Sequence, residues 1–97
     1  MGFVKVVSTK ELEPGKMIGF GEMLVANLDG NYYAIGNRCS HKGCKLSSGM
    51  LDGEKIVCPC HSSIFDVKTG RVIKGPANKP EPMFQVKIEG DQILVNT

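Results

Sequence analysis

Cys39-Ser40-His41-Lys42-Gly43-Cys44 and Cys58-Pro59-Cys60-His61-Ser62-Ser63 hold all four cysteines and both histidines of this 97-residue chain. Each run pairs a thiol with an imidazole on a short stretch rich in Gly, Ser and Pro. Two such pairs describe a metal site held between two loops. The sequence around them is written in strands. Phe3 to Val7, Glu22 to Leu28 and Tyr32 to Gly36 read as strands, as do Lys55 to Val57 and Phe65 to Val67. Arg71 to Ile73, Phe84 to Ile88 and Gln92 to Val95 complete the pattern of apolar segments between turn signals.

The turns support this reading. Asp29-Gly30-Asn31 joins two strands as a hairpin, and Glu89-Gly90-Asp91 joins the last two. Ser8-Thr9-Lys10-Glu11 has capping-box spacing, but Pro14-Gly15 follows at once and limits any helix to one turn. Gly75-Pro76-Ala77-Asn78-Lys79-Pro80-Glu81-Pro82 reads as a stiff connection without strand character. No segment reads as a helix of ten or more residues. The expected fold is all-β, a sandwich or barrel with both Cys/His loops at one end.

Length and composition bound the function. Ninety-seven residues make one domain with a thin core, for which a cofactor or crosslink is a useful staple. A formal charge of +2, without a basic tract or interleaved aromatics, argues against nucleic acid. The N-terminus lacks the apolar core of a signal peptide, and no apolar run is long enough to span a membrane. These features predict a soluble, cytoplasmic chain without membrane insertion. Disulfides are uncommon in reducing cytosol, so metal ligation is the first reading of the thiols.

Four chemistries compete for them. Two Cys and two His suit tetrahedral zinc, but Cys-x-His is unusual structural spacing and two thiols are left over. Cys39-x4-Cys44 matches the first step of a plant-type four-cysteine [2Fe–2S] pattern, but the following Cys-x2-Cys is missing. A disulfide framework of three possible connectivities accounts for the Cys and not for the paired His. The fourth chemistry is a [2Fe–2S] centre in which two His replace two Cys on one iron, matched by Cys39-x-His41 and Cys58-x2-His61.

With Gly43-Cys44 after the first pair and Pro59-Cys60 inside the second, the chain resembles a Rieske-type iron–sulfur protein, specifically a small soluble Rieske ferredoxin. The resemblance extends over Leu46-Ser47-Ser48-Gly49, Phe65-Asp66, Thr69-Gly70 and the proline stretch. It implies a Rieske-like antiparallel β-sandwich or barrel of about 8–10 short strands within one domain, 1–97. A cluster-binding subdomain is expected over about residues 37–67.

The resemblance also implies a ligand set for one [2Fe–2S] cluster. Cys39 and Cys58 become the thiolates on the inner iron, and His41 and His61 the imidazoles on the outer one. Cys44 and Cys60 become a disulfide across the loops. Two neutral imidazoles in place of two thiolates leave the oxidised cluster uncharged, so an electron is added more easily and the potential rises. In the high-potential relatives, a Ser at the position of Ser63 donates to a bridging sulfide. A Tyr at the position of Phe65 donates there to a ligand thiolate. One donor is kept and one is lost, which implies a midpoint inside the Rieske range of roughly −150 to +300 mV but below its top. Ser62 stands where the family commonly has Gly, so a positive φ there would carry strain.

The function so implied is one-electron transfer between a reductase and an oxygenase or respiratory partner, by an electron carrier that is not itself an enzyme. A small Rieske subunit fixed in a larger redox complex is the alternative, and a zinc-stabilised interaction module a third. Arg38, Lys42 and Lys45 flank the first loop with no acid from 38 to 50, and Lys74 and Lys79 lie by the proline stretch. These residues predict a basic face that meets an acidic redox partner, on a chain expected to be a monomer; scattered solvated lysines are the plainer alternative.

Overall fold

The computed structural model describes residues 2–40, 43–60 and 62–96; Met1, His41, Lys42, His61 and Thr97 lie outside the described residues. The strands are β1 (Phe3–Ser8), β2 (Met17–Phe20), β3 (Met23–Leu28), β4 (Asn31–Gly36), β5 (Met50–Asp52) and β6 (Lys55–Val57). They continue with β7 (Ile64–Asp66), β8 (Val72–Lys74), β9 (Met83–Phe84), β10 (Val86–Glu89) and β11 (Gln92–Asn96). Single 3-10 turns cover Thr9–Glu11 and Leu46–Ser48.

The strands form three antiparallel sheets, ordered β1-β11-β10, β2-β3-β4-β9 and β5-β6-β7-β8. Strand β3 explains how they stack, because all six of its residues are buried. Side chains alternate across a strand, so β3 serves two cores at once. Leu24, Ala26 and Leu28 pack with Ile56 and Phe65 of the β5–β8 sheet and with Val67 just after β7. Met23 and Val25 pack with Val7, Ile93 and Val95 of the β1-β11-β10 sheet. In β4, Ile35 joins the first cluster and Ala34 the second. The β2-β3-β4-β9 sheet is therefore the middle layer, covered on both faces along β3. Its buried Leu24 and Ile35 each contribute about 1.5–3 kcal/mol by leaving water.

Local sequence signals are realised where they are short-range. The Ser8 N–H donates to Glu11 Oε1 and the Lys10 N–H to Ser8 Oγ, both at 3.1 Å, and the capping box starts one 3-10 turn. Asp29 and Gly30 both have positive φ, and Leu28 pairs with Asn31, which makes a two-residue type I′ hairpin. Residues 75–82 carry no strand, as expected, and the Gly75–Pro76 peptide is cis.

Three strands go beyond the eight legible in sequence. β2 is an edge strand interrupted by Gly19, a residue against which Ser47 and Asn37 pack so closely that a Cβ would meet both. β5 reads as the entry to β6, and β9 is two residues long. Their pairing comes from neighbouring strands and leaves almost no periodic signal of its own.

Candidate metal centre

Both Cys/His loops leave the layer beside the first core and close in the same way. The Cys39 N–H donates to the Cys44 carbonyl at 2.7 Å, and the Gly43 N–H returns to the Cys39 carbonyl at 2.7 Å. In the second loop the Cys58 N–H donates to the Ser63 carbonyl at 2.8 Å, and the Ser62 N–H to the Cys58 carbonyl at 3.2 Å. Cys39 and Cys58 thus occupy equivalent positions, and both are buried at the edge of the core that holds Leu46 and Phe65.

The same closure demands a left-handed residue four places after each cysteine. Gly43 supplies it in the first loop with φ +76°, and Ser62 takes φ +62° in the second. A side chain at such a φ costs roughly 1–2 kcal/mol, so the strain anticipated for Ser62 is present.

Cys44 and Cys60 form a disulfide with Cα atoms 6.4 Å apart, as the resemblance implied. The crosslink consumes two of the four thiols and leaves Cys39 and Cys58 outside it. His41 and His61 were expected as the remaining ligands and lie outside the described residues. Two buried thiols at matched positions, on loops locked together by a covalent bridge, fit a group that takes one thiolate from each loop.

The first loop is anchored from below by Asn37, a buried residue that sequence reasoning passed over. Its carbonyl accepts from the Leu46 N–H at 2.7 Å and its Oδ1 from the Ser47 N–H at 2.8 Å. Arg38 bridges to Lys45 across the stem of the loop. Gly49 brings this segment against the second loop. A Cβ built on Gly49 would overlap the Val57 carbonyl oxygen and press on Pro59.

The proline stretch is a strap across both loops. The Ser40 hydroxyl donates to the Lys79 carbonyl at 2.7 Å, and the Ala77 N–H donates to Ser63 Oγ at 3.0 Å. Ser63 is fully buried, and its Oγ accepts a backbone amide hydrogen. A hydroxyl carries one hydrogen besides its lone pairs, so accepting from Ala77 leaves that hydrogen able to donate elsewhere. Phe65 is also fully buried, in the same cluster as Cys39 and Cys58.

Surface charge around the loops is less one-sided than the sequence implied. The Glu22 carboxylate pairs with Arg38 at 2.6 Å, although both side chains are mostly exposed and the pair contributes little to stability. Lys42 lies outside the described residues. Lys45, Lys74 and Lys79 are exposed, and among the described residues none of them forms an ion pair.

Comparison with known proteins agrees with this geometry. A sequence profile of the Rieske [2Fe-2S] domain matches residues 2–96. The chain is 38% identical over 100 residues to the ferredoxin component of biphenyl 2,3-dioxygenase from Rhodococcus jostii (strain RHA1), covering 99% of this chain and 94% of that one. Among solved structures it superposes on the ferredoxin of carbazole 1,9a-dioxygenase from Nocardioides aromaticivorans IC177. The TM-score is 0.92 at 34% identity, covering 98% of this chain and 97% of that chain. It is also similar to a chain of the complex of reduced oxygenase and oxidized ferredoxin in carbazole 1,9a-dioxygenase. That match has a TM-score of 0.88 at 28% identity, covering 96% of this chain and 91% of the other.

Proposed function

Because the chain belongs to the Rieske [2Fe-2S] domain family, we propose that Cys39, His41, Cys58 and His61 hold its cluster and that the protein passes single electrons from a reductase to an oxygenase. The observation that carries this reading is the division of the thiols. The disulfide claims Cys44 and Cys60, while Cys39 and Cys58 sit buried at equivalent positions of two loops with the same hydrogen bonds. When bound, the cluster supplies one-electron chemistry at a potential raised by its two imidazole ligands. The chain's own residues bury the thiolates, lock the loops and leave Ser40, Gly43, Cys60 and Ser62 exposed. The protein is an electron carrier of the ferredoxin kind, not a catalyst in itself.

Ser63 and Phe65 tune the potential in this reading. The Ser63 hydroxyl keeps a hydrogen to give towards the cluster, and the buried Phe65 ring has none to give. One hydrogen bond of about 1 kcal/mol corresponds to roughly 40 mV for one electron. Voltammetry should find the Ser63→Ala midpoint lower and the Phe65→Tyr midpoint higher by steps of that order. An unchanged midpoint in both variants contradicts the assignment.

The docking surface of this reading lies beside the stems of the two loops. Lys45 stands at the stem of the first loop, Lys79 is joined to Ser40 through its carbonyl, and Lys74 pairs with Ile64 beside the second loop. Met50, opposite Val57 and one residue from Cys58 in that register, is 66% exposed and adds an apolar contact. Such a rim suits an acidic oxygenase surface, steered to it by charge. Exposed charges are screened over about 10 Å at 0.1 M salt, so electron transfer to an oxygenase should slow as salt rises. A rate independent of salt contradicts the basic-face reading. The same proposal takes the chain as a cytoplasmic monomer. Among the described residues, no helix is long and apolar enough to cross a membrane.

A further inference from the structure

Glu81 has no part in the ligand set, yet the fold is shaped around it. It lies between Pro80 and Pro82, only 5% exposed, and its Oε2 is buried without a hydrogen-bond partner. Gly36 at the end of β4 leaves room for Glu81 Oε1, which would stand 2.5 Å from a Cβ built there. Gly70 on the β7–β8 turn likewise leaves room for the Glu81 carbonyl. The backbone on either side is fixed. The Glu81 N–H donates to the Gly70 carbonyl at 2.7 Å, and the Gly36 N–H to the Pro82 carbonyl at 2.9 Å.

The carboxyl is hydrogen-bonded by the backbone N–H of Ser40, the residue that follows Cys39 in the first loop. Ser40 is therefore held from the strap twice, because its own hydroxyl donates to the Lys79 carbonyl. Among the described residues, no charged group on the neighbouring elements pairs with the carboxyl. Arg38 is paired with Glu22, while Lys79 on the strap and Arg71 after Gly70 are exposed. Among the described residues, none of them forms an ion pair with Glu81.

We propose that Glu81 is a positioning residue for electron transfer, its carboxyl fastening the Ser40 backbone and with it the first ligand loop. The inference rests on the cluster assignment given above. Glu81 acts through an acceptor oxygen, not through charge. Burial pushes the carboxyl up to about 7, against the opposing effect of the Ser40 N–H, so it keeps its proton well above the ordinary carboxylate range. The glutamine amide has the same shape and an acceptor oxygen without the charge. Methionine fills similar volume and has no oxygen to offer.

The test compares the holo forms of wild type, Glu81→Gln and Glu81→Met at about pH 6, by voltammetry and by EPR of the reduced protein. Gln should keep the wild-type midpoint and line shape, and Met should shift both or lose iron that Gln retains. A Met variant indistinguishable from wild type overturns the proposal. So does a Gln variant as displaced or as iron-depleted as Met. Wild-type protein that binds no cluster refutes the cluster assignment instead, which keeps the two failures apart.

Discussion

Cys58→Ser should give a colourless protein without iron, whereas Cys60→Ser should keep a cluster that still accepts an electron but is lost sooner on heating. Both residues lie in one loop, two places apart, and composition alone does not separate them. Their environments do. Cys58 is 2% exposed and stands in the core beside Leu46 and Phe65, where a serine hydroxyl is a poor replacement for an iron-bound thiolate. Cys60 is exposed at the surface and bonded to Cys44. Removing a crosslink whose ends are 16 positions apart in sequence releases about 3 kcal/mol of loop-closure entropy to the unfolded chain. A bound cluster also ties the loops together, so the loss measured in holo protein should be smaller than in apo protein. Iron content and thermal denaturation of the two variants check this. Equal loss of iron in both contradicts the division of the thiols into ligands and crosslink.

Gly49→Ala should be nearly as damaging, although Gly49 touches no expected ligand side chain. The position lies just after the Leu46–Ser48 turn, and its Cα faces the backbone of Val57, one residue before Cys58. A methyl group there would overlap the Val57 carbonyl oxygen and crowd the Pro59 ring and the Leu46 carbonyl. Backbone atoms cannot rotate out of the way as a flexible side chain would, so the two loop segments must separate. A cost of about 3 kcal/mol or more is expected, since overpacking combines here with disrupted loop geometry. The separation also moves Cys58 relative to Cys39. Denaturant unfolding and iron content should both fall. A variant with wild-type midpoint of unfolding and full iron contradicts the close packing of the two loops.

What could be read in the sequence was what local chemistry decides. The Asp29-Gly30 hairpin and the Ser8–Glu11 capping box depend on residues within four positions, and both formed as read. The Cys and His spacing pointed to the family, because metal ligation imposes its own short-range pattern, and the resemblance in turn implied the crosslink. Ser62 stands where the family commonly has Gly, and it takes the positive φ that would carry strain for a side chain.

What escaped notice depends on distant partners. β2, β5 and β9 are made by their neighbours, and β3 is buried on both faces because two separate cores meet it. Glu22 reaches Arg38 from 16 residues away and reduces the basic face that the loop sequence implied. Glu81, between two prolines, has every sequence mark of a surface residue and becomes buried only when the strap lies down on the first loop.

The central claim is that two thiolates and two imidazoles share one [2Fe–2S] cluster. Pulsed EPR of the reduced wild-type protein tests it most directly, because nitrogen bound to iron couples to the unpaired electron and sulfur does not. The account predicts a signal from one cluster per chain with strong couplings to two nitrogens, the ones supplied by His41 and His61. A reduced cluster with no strong nitrogen coupling, or a protein that holds zinc in place of iron, contradicts it.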